Sequence, residues 1–272
     1  MSRPEPTSET RFTAILLAGQ RAGVVDTLAA AAGVPNKSLA PICGAPLVAH
    51  AAAALQATPG LARLKVVAEP ANLGAVMGVL GRGPAPVEAV VAAGNLADSV
   101  HAAAAGVEGP IVITTSDNVL LTPGAVLEIL TALSRGADVA VALAAEAAVR
   151  AAHPDGQRRF YRFADGAWSN CNLYALSGPA AARAAESFRS GGQFAKKPLR
   201  MLLHLGPANL ALMLLGRLTL RGALGRLGRR FRLRIEPVIL ADGAHAIDVD
   251  NARTYACAEQ LLNRRASASA AA

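Results

Sequence analysis

The chain has 272 residues, of which 53% are hydrophobic and only 4% aromatic. That is enough apolar material for a sizeable core in one large or two small domains, so the composition excludes a disordered chain. The formal net charge is +8. Ten of the positive charges, from Lys196 to Arg234, lie in one stretch without an acid, which leaves the rest of the chain at net −2.

In chain order, Met1 to Arg11 is polar and has no signal-peptide character. Residues 12–18 form an apolar run that ends in a glycine turn, as expected of a buried strand. Residues 35–46 read as an irregular loop shaped by Pro35, Gly44 and Pro46. Helices are expected over 46–56, 71–80, 95–105 and from Thr122-Pro123 to about Ser134, and strands over 64–68, 87–93, 110–116 and 137–143. The strands are continuous apolar runs between helices of about ten residues, the pattern of a mostly parallel sheet covered on both faces. The fold class is therefore three-layer α/β/α. Beyond residue 150, the alternation in 158–169 with Asp165-Gly166 predicts a hairpin. A short strand follows at 172–177, a helical stretch at 178–189, a strand at 233–240 and a last helix over 251–263. The organisation expected is a core of 11–189 plus 235–263, a helical basic insert over 190–234, and flexible tails at 1–10 and 264–272.

The three cysteines lie far apart and the five histidines are scattered, so no zinc-ligand spacing occurs and a reducing, cytoplasmic setting is expected. The first strand runs into Leu17-Ala18-Gly19-Gln20-Arg21-Ala22-Gly23. A glycine turn there lets backbone N–H groups approach an anion, and Arg21 is placed to clamp phosphate oxygens. Lys37 follows just before an apolar stretch, positioned for the same anion. The strand Ile111–Thr115 continues into Ser116-Asp117, which puts a carboxylate at the C-terminal edge of the sheet, where open α/β sheets bind ligands. Two further carboxylates, Asp248 and Asp250, precede the last helix.

LAGQRAG followed by PNKSLAPICGAPL resembles the glycine-loop and lysine signature of the MobA-like NTP transferases, which share the GT-A (nucleotide-diphospho-sugar transferase-like) fold. Ser116-Asp117 with Leu121-Thr122-Pro123, and Asp248-Val249-Asp250, resemble that family's strand–Asp and late-Asp segments. Gln20 stands where the family has a second glycine. The resemblance implies a nucleotidyltransferase that joins NMP from an NTP to a phosphorylated small molecule and releases pyrophosphate. It implies a catalytic set of Arg21, Lys37, Asp117 and Asp250, with Mg²⁺ (or Mn²⁺) on Asp117 and Asp250, and Asp248 as the other candidate ligand. Nucleotide contacts are implied for Leu17, Ala18, Gly19, Gln20, Arg21, Gly23, Lys37, Gly94, Asn95, Ser99 and Ser116. The Gly94–Val100 segment is similar to that of cytidylyltransferases, which favours CTP. NCNLYAL resembles the acceptor segment and puts Asn170 and Asn172 at the acceptor.

The basic insert has three readings: a helical element packed on the core, a lid that brings Lys196 and Lys197 to the acceptor or phosphates, and an amphipathic element on an anionic membrane surface. The last would place the protein peripherally at the inner membrane face. Nucleic acid is not expected, since only Phe194 and Phe231 offer stacking there. The alternatives to nucleotidyl transfer are a sugar-nucleotide glycosyltransferase of the same fold and a catalytically silent, membrane-associated regulatory protein.

Overall fold

The computed structural model describes residues 10–20, 26–188 and 215–270. Arg21, Gly23, Lys196 and Lys197 lie outside them. The first half carries β1 (Phe12–Leu17), α1 (Thr27–Ala32), the short hairpin β2 (Pro41–Ile42) and β3 (Ala45–Pro46), α2 (Leu47–Gln56), β4 (Leu61–Ala68), α3 (Pro70–Gly78), β5 (Val87–Val91) and α4 (Leu96–Ala104). The second half carries β6 (Ile111–Thr115), α5 (Pro123–Ser134), β7 (Val139–Ala145), α6 (Glu146–Ala152), β8 (Tyr161–Phe163), β9 (Gly166–Leu176), α7 (Leu220–Phe231), β10 (Ile235–Ile239) and α8 (Ala252–Ala270).

The main sheet has the order β10-β7-β9-β6-β1-β4-β5, with β8 paired to β9. β9 runs antiparallel to β6 and β7, while β6, β1, β4 and β5 run parallel to one another, as β7 does to β10. Successive residues of β1 point to opposite faces. Leu16 packs with Leu55 and Ile129 in one core, and Ile15 with Val100 and Ile235 in the other. Both faces are buried, which is why these strands read as unbroken apolar runs. Among the described residues, no helix is long and apolar enough to cross a membrane.

Four local features add to the sequence reading or differ from it. Asp26 caps α1, its Oδ1 accepting from the backbone N–H groups of Leu28 (2.9 Å) and Ala29 (3.2 Å). The stretch read as an irregular loop contains a 3₁₀ turn at Lys37–Leu39 and the β2–β3 hairpin, whose turn residues Cys43 and Gly44 both have positive φ. The expected hairpin and the separate strand at 172–177 are joined, because β9 is continuous to Leu176. Asn172, with φ 46°, and a register shift against β7 break its alternation. The last helix extends to Ala270 rather than ending at 263, and Arg265 fastens it to Leu120 O (2.7 Å) and Asp242 Oδ2 (2.9 Å).

The described part of the basic stretch packs on the core. α7 buries Leu220, Ala223 and Gly228, its N-terminus is held by Asp165 Oδ1 on Leu220 N–H (2.9 Å), and Arg221 pairs with Glu236 (2.9 Å). A 3₁₀ turn at Gly243–Ala246 packs on α6 and delivers the chain to Asp248 and Asp250. A Cβ at Gly243 would lie 2.2 Å from the backbone carbon of Ala148. Backbone cannot yield as a side chain can, so Gly243→Ala is expected to destabilise the fold by about 2 kcal/mol in urea unfolding.

Candidate active site at the C-terminal edge of the sheet

The parallel strands end side by side along one edge. β1 leads into Gly19-Gln20, β6 into Ser116-Asp117, and the segment after β10 reaches the same place through Asp248 and Asp250. Two backbone hydrogen bonds fasten these ends. Ser116 N–H donates to Leu17 O (2.9 Å), and Val249 N–H donates to Asp117 O (3.0 Å).

Lys37 is delivered by its 3₁₀ turn, which Asn36 caps by accepting from Ser38 N–H (2.8 Å). Its Nζ donates to Asp117 Oδ2 (2.6 Å) and Asp250 Oδ1 (3.0 Å), groups 80 and 213 residues away in sequence. The lysine and Asp117 side chains are 16% and 15% exposed, whereas Asp250 is 63% exposed and faces the open side. Burial by itself lowers the Lys37 pKa, but Asp117 and then Asp250 outweigh it and hold the amine protonated. Asp250 does not cap α8. Asn251 does, accepting from Arg253 and Thr254 N–H (3.1 and 3.2 Å), which leaves the Asp250 side chain to the site.

Asp248 sits behind this pair. Its Oδ2 accepts from Asn172 Nδ2 (2.7 Å), while its Oδ1 is sealed from solvent without a hydrogen-bond partner among the described residues. Burial, with the nearby charges of Asp117 and Asp250, raises its pKa well above the ordinary 3.8 against the opposing pull of Lys37 and the Asn172 hydrogen bond. Asn172 is held in turn by Asn170, whose Nδ2 donates to Asn172 Oδ1 (3.1 Å) and to Tyr174 OH (2.5 Å). The structure thus joins the two expected acceptor asparagines to the carboxylate cluster. Asp117 Oδ1 is also buried without a partner among the described residues. Among the described residues, two sealed carboxylate oxygens beside the Lys37 ammonium form a donor set short of positive charge, which fits a hard cation that takes a few carboxylates and fills its shell with phosphate and water oxygens. Among the described residues, no group of three or more His, Cys, Asp or Glu side chains is placed to hold a metal ion.

Sequence reasoning missed Glu69, which follows β4 at the same edge. Its Oε1 accepts from Gln20 N–H (2.5 Å), and Asn36 Nδ2 donates to Ala18 O (3.1 Å) and lies 3.5 Å from Glu69 Oε2. A Cβ at position 19 would come within 2.9 Å of Glu69 Oε1, which gives Gly19 a steric reason. The available signal was a strand ending in an acid, as at Asp117. Gln20 also donates from Nε2 to Pro35 O (3.0 Å), tying the glycine loop to the lysine loop. At Gly94–Ser99 the polar side chains serve the local turn. Ser99 Oγ accepts from Ala93 N–H (2.9 Å), and Asn95 caps α4 through Asp98 N–H (3.0 Å).

The sheet is mostly parallel with one antiparallel insertion and has helices on both faces, an α/β arrangement of the kind that binds ligands across its C-terminal edge. Among solved structures, the chain is similar to a hypothetical transferase from Thermus thermophilus. The two are 27% identical with TM-score 0.71, and the match covers 90% of this chain and 100% of that one. It is also similar to a CMP:2-keto-3-deoxy-manno-octonic acid synthetase complexed with CTP, at 16% identity and TM-score 0.57 over 94% and 100% of the two chains. A third is the 4-diphosphocytidyl-2C-methyl-D-erythritol synthase of Anaerococcus prevotii, at 8% identity and TM-score 0.57 over 93% and 99%. No protein-family model and no curated protein matches the chain.

Because the Asp248 pKa is raised in the fold, the stabilising proton is present at low pH and lost as pH rises through the folded-state value. Asp248→Asn is therefore expected to raise stability at pH 7 by about 1 kcal/mol, as relief of a functional-site charge does. The gain should shrink toward pH 4, and paired thermal melts of the two proteins across pH 4–8 check it.

Proposed function

We propose that the chain is a nucleotidyltransferase that transfers NMP from an NTP, CTP being favoured, to a phosphorylated small molecule with release of pyrophosphate. The observation that carries this reading is the Lys37 ammonium held between Asp117 and Asp250 beside the glycine loop. Two proteins of the same fold, one complexed with CTP and one a diphosphocytidyl synthase, support the choice of base. So does the likeness of Gly94–Val100 to cytidylyltransferases.

In this reading Asp117 and Asp250 would hold Mg²⁺ (or Mn²⁺), with Asp248 adjacent. When bound, the ion supplies charge neutralisation at the phosphates and at the pyrophosphate leaving group. The chain's own residues do the positioning. The backbone at Ala18–Gln20, kept in shape by Glu69 and Asn36, approaches the triphosphate, and Arg21 adds a planar cationic fork. Lys37, kept charged, offers the phosphates a cation it otherwise shares between two carboxylates. Asn172, fixed by Asn170 and Asp248, orients the acceptor. The acceptor phosphate is already ionised, so the chain needs no strong general base, and catalysis consists of alignment and electrostatics.

The test is pyrophosphate release in Mg²⁺ with each of the four NTPs against a panel of phosphorylated sugars, polyols and alcohols. CTP-dependent release is expected. Release of a nucleoside diphosphate from a sugar nucleotide, with no pyrophosphate from any NTP, would overturn the reading in favour of glycosyl transfer. Asp117→Asn is expected to lower turnover about 10²–10³-fold, as loss of a group that stabilises transition-state charge does, with an unchanged circular-dichroism spectrum.

A further inference from the structure

The two faces of the sheet are covered unequally. On the face of Ile15 and Ile113, the cover is α4, the 3₁₀ segment Pro179–Phe188 and α7. Between these and the sheet lies a cavity of about 290 Å³. Its walls include Val100, Ile113, Val141, Phe163, Leu224 and Leu227, and no charged side chain lines it among the described residues. At one end it reaches Asn170 and Asn172, and Asn172 is the residue hydrogen-bonded to Asp248. Leu17 and Thr115 also line it, each two residues before Gly19 and Asp117. Among the described residues the chamber wall is therefore mostly apolar, and its asparagines lead to the carboxylate edge through the Asn172–Asp248 hydrogen bond.

A sugar or polyol placed in such a chamber gives up water partners that aliphatic walls cannot replace. An apolar group gains there, by roughly fourfold in affinity for each methylene buried. An apolar cavity of about 150 Å³ stays dry and accepts a benzene ring, so one nearly twice that size suits roughly ten carbons.

We propose that the acceptor is a phosphate monoester whose organic part is an apolar chain or ring system of roughly ten carbons, seated in this cavity with the phosphate at the Asn170–Asn172 end. The proposal deepens the nucleotidyl-transfer reading and rests on it. An oxygen of the acceptor phosphate bonds to the α-phosphorus, and the bond from that phosphorus to the oxygen bridging to the β-phosphate breaks. Pyrophosphate leaves with the electron pair, and nothing is oxidised or reduced.

The test uses the full chain and three probes: decyl phosphate, butyl phosphate and glycerol 3-phosphate. Calorimetric titration without NTP is expected to show decyl phosphate binding at least about tenfold tighter than butyl phosphate, with glycerol 3-phosphate weakest. Leu224→Trp, which fills the cavity from α7, should weaken decyl phosphate about tenfold and leave butyl phosphate unchanged. With CTP and Mg²⁺, pyrophosphate release should follow the same order among the probes. Equal affinity for the decyl and butyl esters in the unmodified protein overturns the proposal, whether or not the variant folds. So does tight decyl binding that a folded Leu224→Trp leaves untouched. Turnover with glycerol 3-phosphate and no preference for chain length overturns the apolar acceptor while upholding nucleotidyl transfer. Decyl binding that is sensitive to Leu224→Trp, with no pyrophosphate from any NTP, upholds the apolar site and overturns nucleotidyl transfer.

Discussion

The shared ammonium of Lys37 is the constraint around which the site is arranged. Asp117, Asp248 and Asp250 converge at one edge of the sheet, and Lys37 is the cation that pairs with two of them. Two like charges about 4 Å apart repel by roughly 4 kcal/mol at the effective dielectric of a protein surface, so three carboxylates cannot be gathered without compensation. One ammonium compensates only part of that charge. The remainder is visible in the raised pKa of Asp248 and in the sealed Oδ1 atoms of Asp117 and Asp248. A pocket whose described residues leave it short of positive charge is suited to a charge-rich guest that brings its own counter-ion.

The glycine loop answers the opposite need. Its backbone donors would otherwise face an open edge, and the chain supplies an anion of its own in Glu69, whose carboxylate accepts from Gln20 N–H. Asn36 links that carboxylate and the Ala18 carbonyl to the turn that carries Lys37. The loop that meets phosphate and the lysine that neutralises it are thus parts of one hydrogen-bonded unit. A change at Glu69 or Asn36 acts on both.

Much of the frame was legible in the sequence because burial on both faces writes itself as apolar runs, as in Phe12–Leu17 and Ile111–Thr115. Asp117 was legible for a related reason: a polar residue at the end of such a run must lie at the sheet edge. What was not legible depended on tertiary pairing. Asn172 adopts a left-handed conformation inside β9, and the resulting break in alternation made one strand read as two. Glu69 carried the same signal as Asp117, an acid at the end of an apolar run, but its partners Gln20 and Asn36 are ordinary polar residues until the β1 and β4 ends are set side by side. The extension of α8 through Ala270 rests on Arg265 reaching Leu120 and Asp242, a contact no local pattern announces. The cavity was the least visible feature, since its walls come from strands and helices spread from Leu17 to Ile235.

That cavity also bears on the alanine-rich composition. The face packed by α2, α5 and α8 is filled by Leu47, Leu55, Leu120 and Ile129, each essentially without exposure. The opposite cover contributes Ala184, Ala185 and Ala223 to the cavity wall, small residues that leave space above Val141 and Tyr174. Empty space of this size is expensive. Apolar walls that face such a space forgo the contacts that close packing would give them. Leucine in place of any of those alanines would recover some of those contacts. A fold that packs one face more closely and leaves the larger chamber in the other, lined by the asparagine that bonds Asp248, has the form of a site shaped for an apolar occupant.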